Sequence, residues 1–130
     1  MIVDTSALVA ILRKEQERLT FAQLLDEAEE LRISAASYLE LGVVIDSCKD
    51  PVMSREVDEI LKRFEIVIEP VTAEQARIAR QAYRDYGRGS GHAAKLNFGD
   101  CFSYALAHEK REPILFTGAD FRATDLEPAV

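Results

Sequence analysis

Basic residues are in short supply in this sequence. Across 130 residues, 16 Lys and Arg stand against 23 Asp and Glu, a formal net charge of −7. Taken alone, that balance argues against a basic nucleic-acid-binding module. It does not argue against a nucleic-acid enzyme, because acids can be gathered in a site that holds cations. Cysteine is sparser still. Cys48 and Cys101 are too few for a disulfide framework and lack the CxxC or Cys/His spacing of metal sites. Both fall in predicted helices among apolar neighbours, so both are expected as free core thiols in a reducing cytoplasm. No charged segment with an apolar stretch behind it opens the chain, so no signal peptide is expected. No uncharged apolar run reaches the ~18–20 residues that span a bilayer. Internal repeats, low-complexity tracts and Pro/Ser-rich linkers are missing too, so residues 1–130 read as one domain. A chain of that length buries roughly two-thirds of its unfolded surface, enough to fold without a disulfide or structural metal.

What is present is a succession of brief apolar strands separated by helices. The strands are Ile2-Val3, Leu31–Ile33, Ile66–Ile68 and Pro113–Phe116. Helical spacing or capping residues mark 5–12, 15–30, Ser34 to about Cys48, Ser54–Phe64, Thr72 to about Tyr86, and Asn97 to about Glu109, with a helical turn starting at Thr117. The pattern predicts an α/β fold of three layers. A short, mostly parallel sheet would be covered by helices on both faces. In such folds polar sites gather beyond the carboxyl ends of the strands.

Four acids stand where such a site would form: Asp4, Glu40, Asp100 and Asp120. Their neighbours in sequence are mainly apolar, whereas most other acids lie in mixed Glu/Lys/Arg stretches typical of solvated faces. A structural reading exists for three of them. Asp4 can cap the helix beginning at Thr5, and Asp100 and Asp120 stand three residues after Asn97 and Thr117, the spacing of a capping box. Glu40 has no such reading, because a mid-helix carboxylate on an apolar face needs a partner, and no Lys or Arg lies within a turn of it. Gathered in one cleft, such carboxylates raise each other's pKa unless a multivalent cation is present. An oxygen-only set selects hard ions, Mg²⁺ or Mn²⁺.

The same residues carry a resemblance. Met1-Ile-Val-Asp4-Thr-Ser-Ala-Leu8 resembles the opening of PIN-domain ribonucleases, where an apolar strand delivers the first acid. Ser34-Ala-Ala-Ser-Tyr-Leu-Glu40-Leu is similar to the second-acid helix, Asn97-Phe-Gly-Asp100-Cys-Phe-Ser-Tyr to the third-acid motif, and Leu115-Phe-Thr117-Gly-Ala-Asp120-Phe to the fourth-acid turn. Each motif is short, but four in order along one chain are specific. The short chain most resembles VapC toxins of bacterial type II toxin–antitoxin pairs. That resemblance implies a Mg²⁺- or Mn²⁺-dependent endoribonuclease, cleaving single-stranded or loop RNA with a metal-activated water. Asp4, Glu40, Asp100 and Asp120 would hold the metal, with Thr5, Asn97 and Thr117 supporting them. Asp125 would substitute for or assist Asp120. The resemblance also implies a homodimer, assembled further with an antitoxin whose peptide covers the acids.

One segment breaks the acidic trend. Residues 77–95 hold five Lys/Arg and one acid, a local net of +4, so the remainder carries −11. Arg77, Arg80 and Arg84 share a helix face, and Arg88, His92 and Lys95 follow in a loop with three of the six glycines. Arg80, Arg84, Arg88 and Lys95 are the expected RNA contacts. Tyr83 and Tyr86 fit core packing better than base stacking. Two other Mg²⁺-binding classes fit poorly. A receiver domain needs adjacent acids after the first strand, and a haloacid-dehalogenase-type phosphatase needs Asp-x-Asp, where Ser6 stands. The alternatives left open are a PIN nuclease of RNA processing that is no toxin, and a silent scaffold that binds RNA or protein.

Overall fold

Side-chain alternation along very short strands divides the core in two. The computed structural model describes all residues 1–130. Its sheet has four parallel strands, β1 (Ile2–Val3), β2 (Arg32–Ser34), β3 (Val67–Glu69) and β4 (Ile114–Leu115), in the order β3-β2-β1-β4. Successive residues point to opposite faces. Val3, Ile33 and Leu115 enter one core with α1 (Thr5–Leu12), α2 (Arg18–Glu27), α3 (Ala35–Asp46) and α4 (Pro51–Arg63). Ile2, Ile114 and Phe116 enter the other with α5 (Ala73–Tyr86) and α6 (Phe98–Lys110). The expected three-layer α/β architecture is therefore present.

Chain order reverses at β1: the first crossovers step outward to β2 and β3, and the last returns to β4 on the other side of β1. A crevice opens at such a switch point, beyond the carboxyl ends of the strands. Asp4 directly follows β1 and Thr117 closely follows β4, so both stand at this crevice.

Local chemistry moves several boundaries from their expected places. Asp50 accepts from the N–H groups of Val52 and Met53, with Pro51 at the first helical position, so α4 starts three residues earlier than Ser54. The Glu-rich stretch 15–30 is helical only over Arg18–Glu27. The turn after β4 is no helix from Thr117 but a 3₁₀ turn at Phe121–Ala123. β3 lies at the sheet edge with Val67 and Ile68 exposed, so one strand is not covered on both faces. Cys101 is buried as expected, whereas Cys48 is exposed beyond the end of α3, beside Arg13. No helix is long and apolar enough to cross a membrane.

Candidate active site

Asp4 is the most connected of the four acids. It is buried at the N-cap of α1, and its Oδ2 accepts from the Ser6 N–H at 3.0 Å and the Ser6 hydroxyl at 2.6 Å. Its Oδ1 accepts from the Ser103 hydroxyl of α6 at 2.6 Å. Ser103 has one proton and gives it to Asp4, so its 3.0 Å contact with Ser37 is donated by the Ser37 hydroxyl of α3. Ser6, having donated to Asp4, accepts from the Thr117 N–H at 3.1 Å. One carboxylate thus ties together α1, α3, α6 and the end of β4, and its orientation is held from both oxygens. Thr5 is buried, and its hydroxyl donates to the Ser37 carbonyl at 3.0 Å.

Asp100 is held by a different local device. Its Oδ2 accepts from the Asn97 N–H at 2.9 Å, while Asn97 Oδ1 accepts from the Asp100 N–H at 2.8 Å. This capping box starts α6 and aims the carboxylate back toward its own N-terminus. The capping reading and the site reading of Asp4 and Asp100 are therefore compatible. Asp120 has no capping bond.

Glu40 projects from the middle of α3, half-buried, without an ion pair or hydrogen bond. Its carboxyl lies against Gly99, where a Cβ would come within 2.9 Å of Glu40 Cδ. Glycine at the second position of α6 is what allows α3 to deliver this acid next to Asp100.

These side chains line one open cleft of about 240 Å³, whose walls include Asp4, Thr5, Ser6, Glu40, Asn97, Asp100 and Thr117. Glu15, from the turn after α1, joins the same wall. None of Asp4, Glu40, Asp100 or Asp120 pairs with a Lys or Arg. Asp100 shows the consequence. Burial pushes its carboxyl up to about 6, and the charges of Asp4, Asp120 and Glu40 add to the rise, against the opposing Asn97 N–H bond.

Asp120 sits on the exposed turn after β4, close enough for its charge to act on Asp100, but outside the cleft wall. Asp125 does not join the acids. It accepts from the Tyr104 hydroxyl at 2.7 Å and lines a separate depression with His108 and Arg111.

The donor set of the cleft is all oxygen and acidic, the chemistry of a hard divalent ion. As the side chains stand, no three acids converge tightly enough to form a metal centre. The residues therefore fit such an ion in charge and donor type; Asp4 and Asp100 are held by their hydrogen bonds, and Glu40, which has none, is the acid left free to turn toward them.

The basic segment is exposed as expected. Arg77 pairs with Glu74, whereas Arg80, Arg84, Arg88 and Lys95 have no acidic partner. Lys95 has a left-handed backbone, φ 52°, two residues before Asn97 in the cleft wall. His92 lies outside the cleft. It stands edge-on to Tyr86, and its Nδ1 accepts from the Ala94 N–H. Tyr86 is half-buried as expected of a packing residue, but Tyr83 is 45% exposed.

Sequence reasoning passed over Ser6, Ser37, Ser103, Gly99 and Glu15. Ser37 and Ser103 carried a signal, each three residues from an acid on the same helix, hence on the same face. Glu15 carried none, lying in a stretch that reads as a solvated face.

The PIN domain family model matches residues 1–127. Ribonuclease VapC28 of Mycobacterium tuberculosis is 58% identical over 130 residues, covering 100% of this chain and 98% of its own length. Among solved structures, M. tuberculosis VapC20, described as a sarcin-ricin loop cleaving toxin, superposes with a TM-score of 0.73 at 19% identity, covering 96% of this chain and 95% of that one. A toxin–antitoxin complex from Klebsiella pneumoniae contains a chain that superposes with a TM-score of 0.68 at 18% identity, covering 92% and 88%. These two share the fold. The motif order, the cleft and the full-length identity agree, and the chain belongs to the PIN-domain family, among the VapC ribonucleases.

Proposed function

We propose that the chain is the toxin of a type II toxin–antitoxin pair and acts as a Mg²⁺- or Mn²⁺-dependent endoribonuclease on single-stranded or loop RNA. The observation that carries the reading is the cleft itself. Asp4, Glu40 and Asp100 arrive from three separate segments at one opening, without a cation among them. Burying unpaired acids together is costly unless a multivalent cation offsets their charge.

Asp4, Glu40 and Asp100 would hold the ion, with Asp120 approaching from its exposed turn. A divalent ion held there supplies Lewis acidity toward water and toward the oxygens of the scissile phosphate. The chain's own groups do the positioning. Ser103 and Ser6 fix the Asp4 carboxylate, Ser37 orients Ser103, and the Asn97 capping box fixes Asp100. Thr5 and Thr117 support this framework through Ser37 and Ser6. Arg80, Arg84, Arg88 and Lys95 provide exposed, unpaired cations for the RNA backbone.

The test maps cleavage ends on total cellular RNA with Mg²⁺, comparing wild type with Asp4→Ala. Discrete ends confined to the wild type are expected. The same ends from the variant would overturn the assignment. The toxin reading has a separate test: the chain expressed alone should arrest growth, and its cognate antitoxin should restore it. Normal growth at verified expression would sink that part. Assembly as a homodimer is part of the proposal, supported by Leu39 and Val43, apolar and exposed on one face of α3.

A further inference from the structure

Beside the acidic cleft lies a second depression of opposite character. It is apolar, about 310 Å³, and formed where α5 crosses the start of α6. Phe98, the first residue of α6, is 78% exposed, which is costly for a large apolar ring in a protein that could bury it. Its ring meets Phe102 edge-to-face at 5.0 Å. Across the depression stands Tyr83, 45% exposed. Tyr83 is itself held in place, because Gly87 packs so closely that a Cβ there would lie 2.6 Å from ring carbon Cδ2. Ala76 and Ala79 also line it, as does Arg80, which is exposed and without an acidic partner.

We propose that this depression is a nucleobase subsite, in which an unpaired base of the RNA strand stacks on Phe98 while the scissile phosphate of the same strand lies in the acidic cleft. The inference rests on the nuclease reading above and adds a place for the substrate's base. Three observations favour a base over an apolar peptide. Two exposed aromatic rings line it together with the small side chains Ala76 and Ala79, which suits a flat ring. The lining includes an unopposed guanidinium, Arg80, complementary to the phosphate that accompanies every base. The position also adjoins the acidic cleft along the chain: Phe98 directly follows Asn97, which lines that cleft, although Phe98 and Asp100, two residues apart on α6, project from different sides of the helix. A strand that passes around the start of α6 can place a base at Phe98 and a phosphate in the cleft beyond Asn97.

Phe98 is exposed at a helix start, so its replacement leaves the core untouched. The experiment measures the affinity of a labelled single-stranded RNA of mixed sequence by fluorescence anisotropy, for wild type, Phe98→Ala and Phe98→Trp. Phe98→Ala should bind about tenfold more weakly, and Phe98→Trp should bind like wild type or better. A series of the same RNA with a single abasic position should weaken wild-type binding most at one position, and that penalty should vanish in Phe98→Ala. Cleavage should show the loss in KM more than in kcat. Equal affinity of all three proteins, with RNA cleavage intact, would overturn the subsite while leaving the nuclease standing. Equal affinity together with a loss of self-association in Phe98→Ala on sedimentation would overturn it in favour of a second copy of the chain. No cleavage by any variant would instead count against the nuclease reading.

Discussion

The two ends of the sheet treat acids in opposite ways. At the amino end, the Arg32 guanidinium bonds to Glu112 at 2.9 Å, to Glu30, and diagonally across the edge strand to Glu69 at 3.1 Å. The Met1 ammonium joins Glu112 at 2.5 Å. Burial alone would push Glu112 up, but the ammonium and Arg32 outweigh it and hold the carboxyl below its ordinary range. At the carboxyl end, Asp4, Glu40 and Asp100 meet with no cation, and Asp100 is pushed up to about 6. Similar residues thus stabilise one end and load the other. The amino end is a finished electrostatic network, and the carboxyl end is one that a ligand must complete.

The largest effect that would sharpen this contrast is on chemistry. Asp4→Asn and Asp100→Asn keep the shape and an acceptor at each cap but remove a charge, so Mg²⁺-dependent RNA cleavage should fall at least about a hundredfold. Circular dichroism should show the fold retained. Retention of most activity in either variant would mean that the carboxyl end is not the site.

Gly99→Ala tests the delivery of Glu40. The added methyl meets the far end of a flexible side chain, so the fold should persist while the carboxylate is displaced. Cleavage should drop roughly ten- to a hundredfold. Unchanged cleavage would remove Glu40 from the proposed ligands.

At the other end, Arg32→Ala should cost about 1–2 kcal/mol in urea unfolding, because at a partly buried position it leaves Glu69 and Glu30 without a partner and Glu112 with the Met1 ammonium alone. RNA cleavage per folded molecule should not change. A large loss of cleavage would show that the two ends are coupled.

The smallest expected effect concerns pH and has opposite signs at the two ends. Asp100 has a raised pKa when folded, so between about 4 and 6 the folded state binds more protons than the unfolded one. Its contribution to stability therefore falls as pH rises through that window. Asp100→Asn should stabilise the metal-free protein at pH 7 by about 1–2 kcal/mol, discounted for partial exposure, and by little at pH 4. Added Mg²⁺ should stabilise the wild type at pH 7 and less at pH 5. Glu112, lowered in the folded state, stabilises above its unfolded pKa and loses that contribution as pH falls through its folded value. Glu112→Gln should therefore destabilise at pH 7 and be nearly neutral at pH 3. Thermal melts across pH check both signs, and parallel profiles for the two variants would erase the contrast.

Much of this was legible because the signals were local. Strand runs such as Ile2-Val3 and the caps Asp4, Ser34, Thr72 and Asn97 act over a few residues, and the structure uses each as a cap or strand. The short motifs around Asp4, Glu40 and Asp100 were legible for the same reason. The serine chain from Ser37 through Ser103 to Asp4 was not, because its links join residues 66 and 99 positions apart. Nor was the placing of Glu15 in the cleft wall, or of Asp125 outside it. Hydropathy also misjudged Cys48 and β3, since an apolar neighbourhood in sequence does not say which element lies at an edge.

By itself, then, the sequence determined the element types, the order of four acids and the local excess of cations over residues 77–95, because periodicity, capping and charge are properties of short stretches. Only the tertiary structure decided which charges are neutralised. Strand order brings Arg32 to the acids at one end of the sheet and no cation to those at the other. That difference rests on contacts between residues far apart in the chain, which no local pattern encodes.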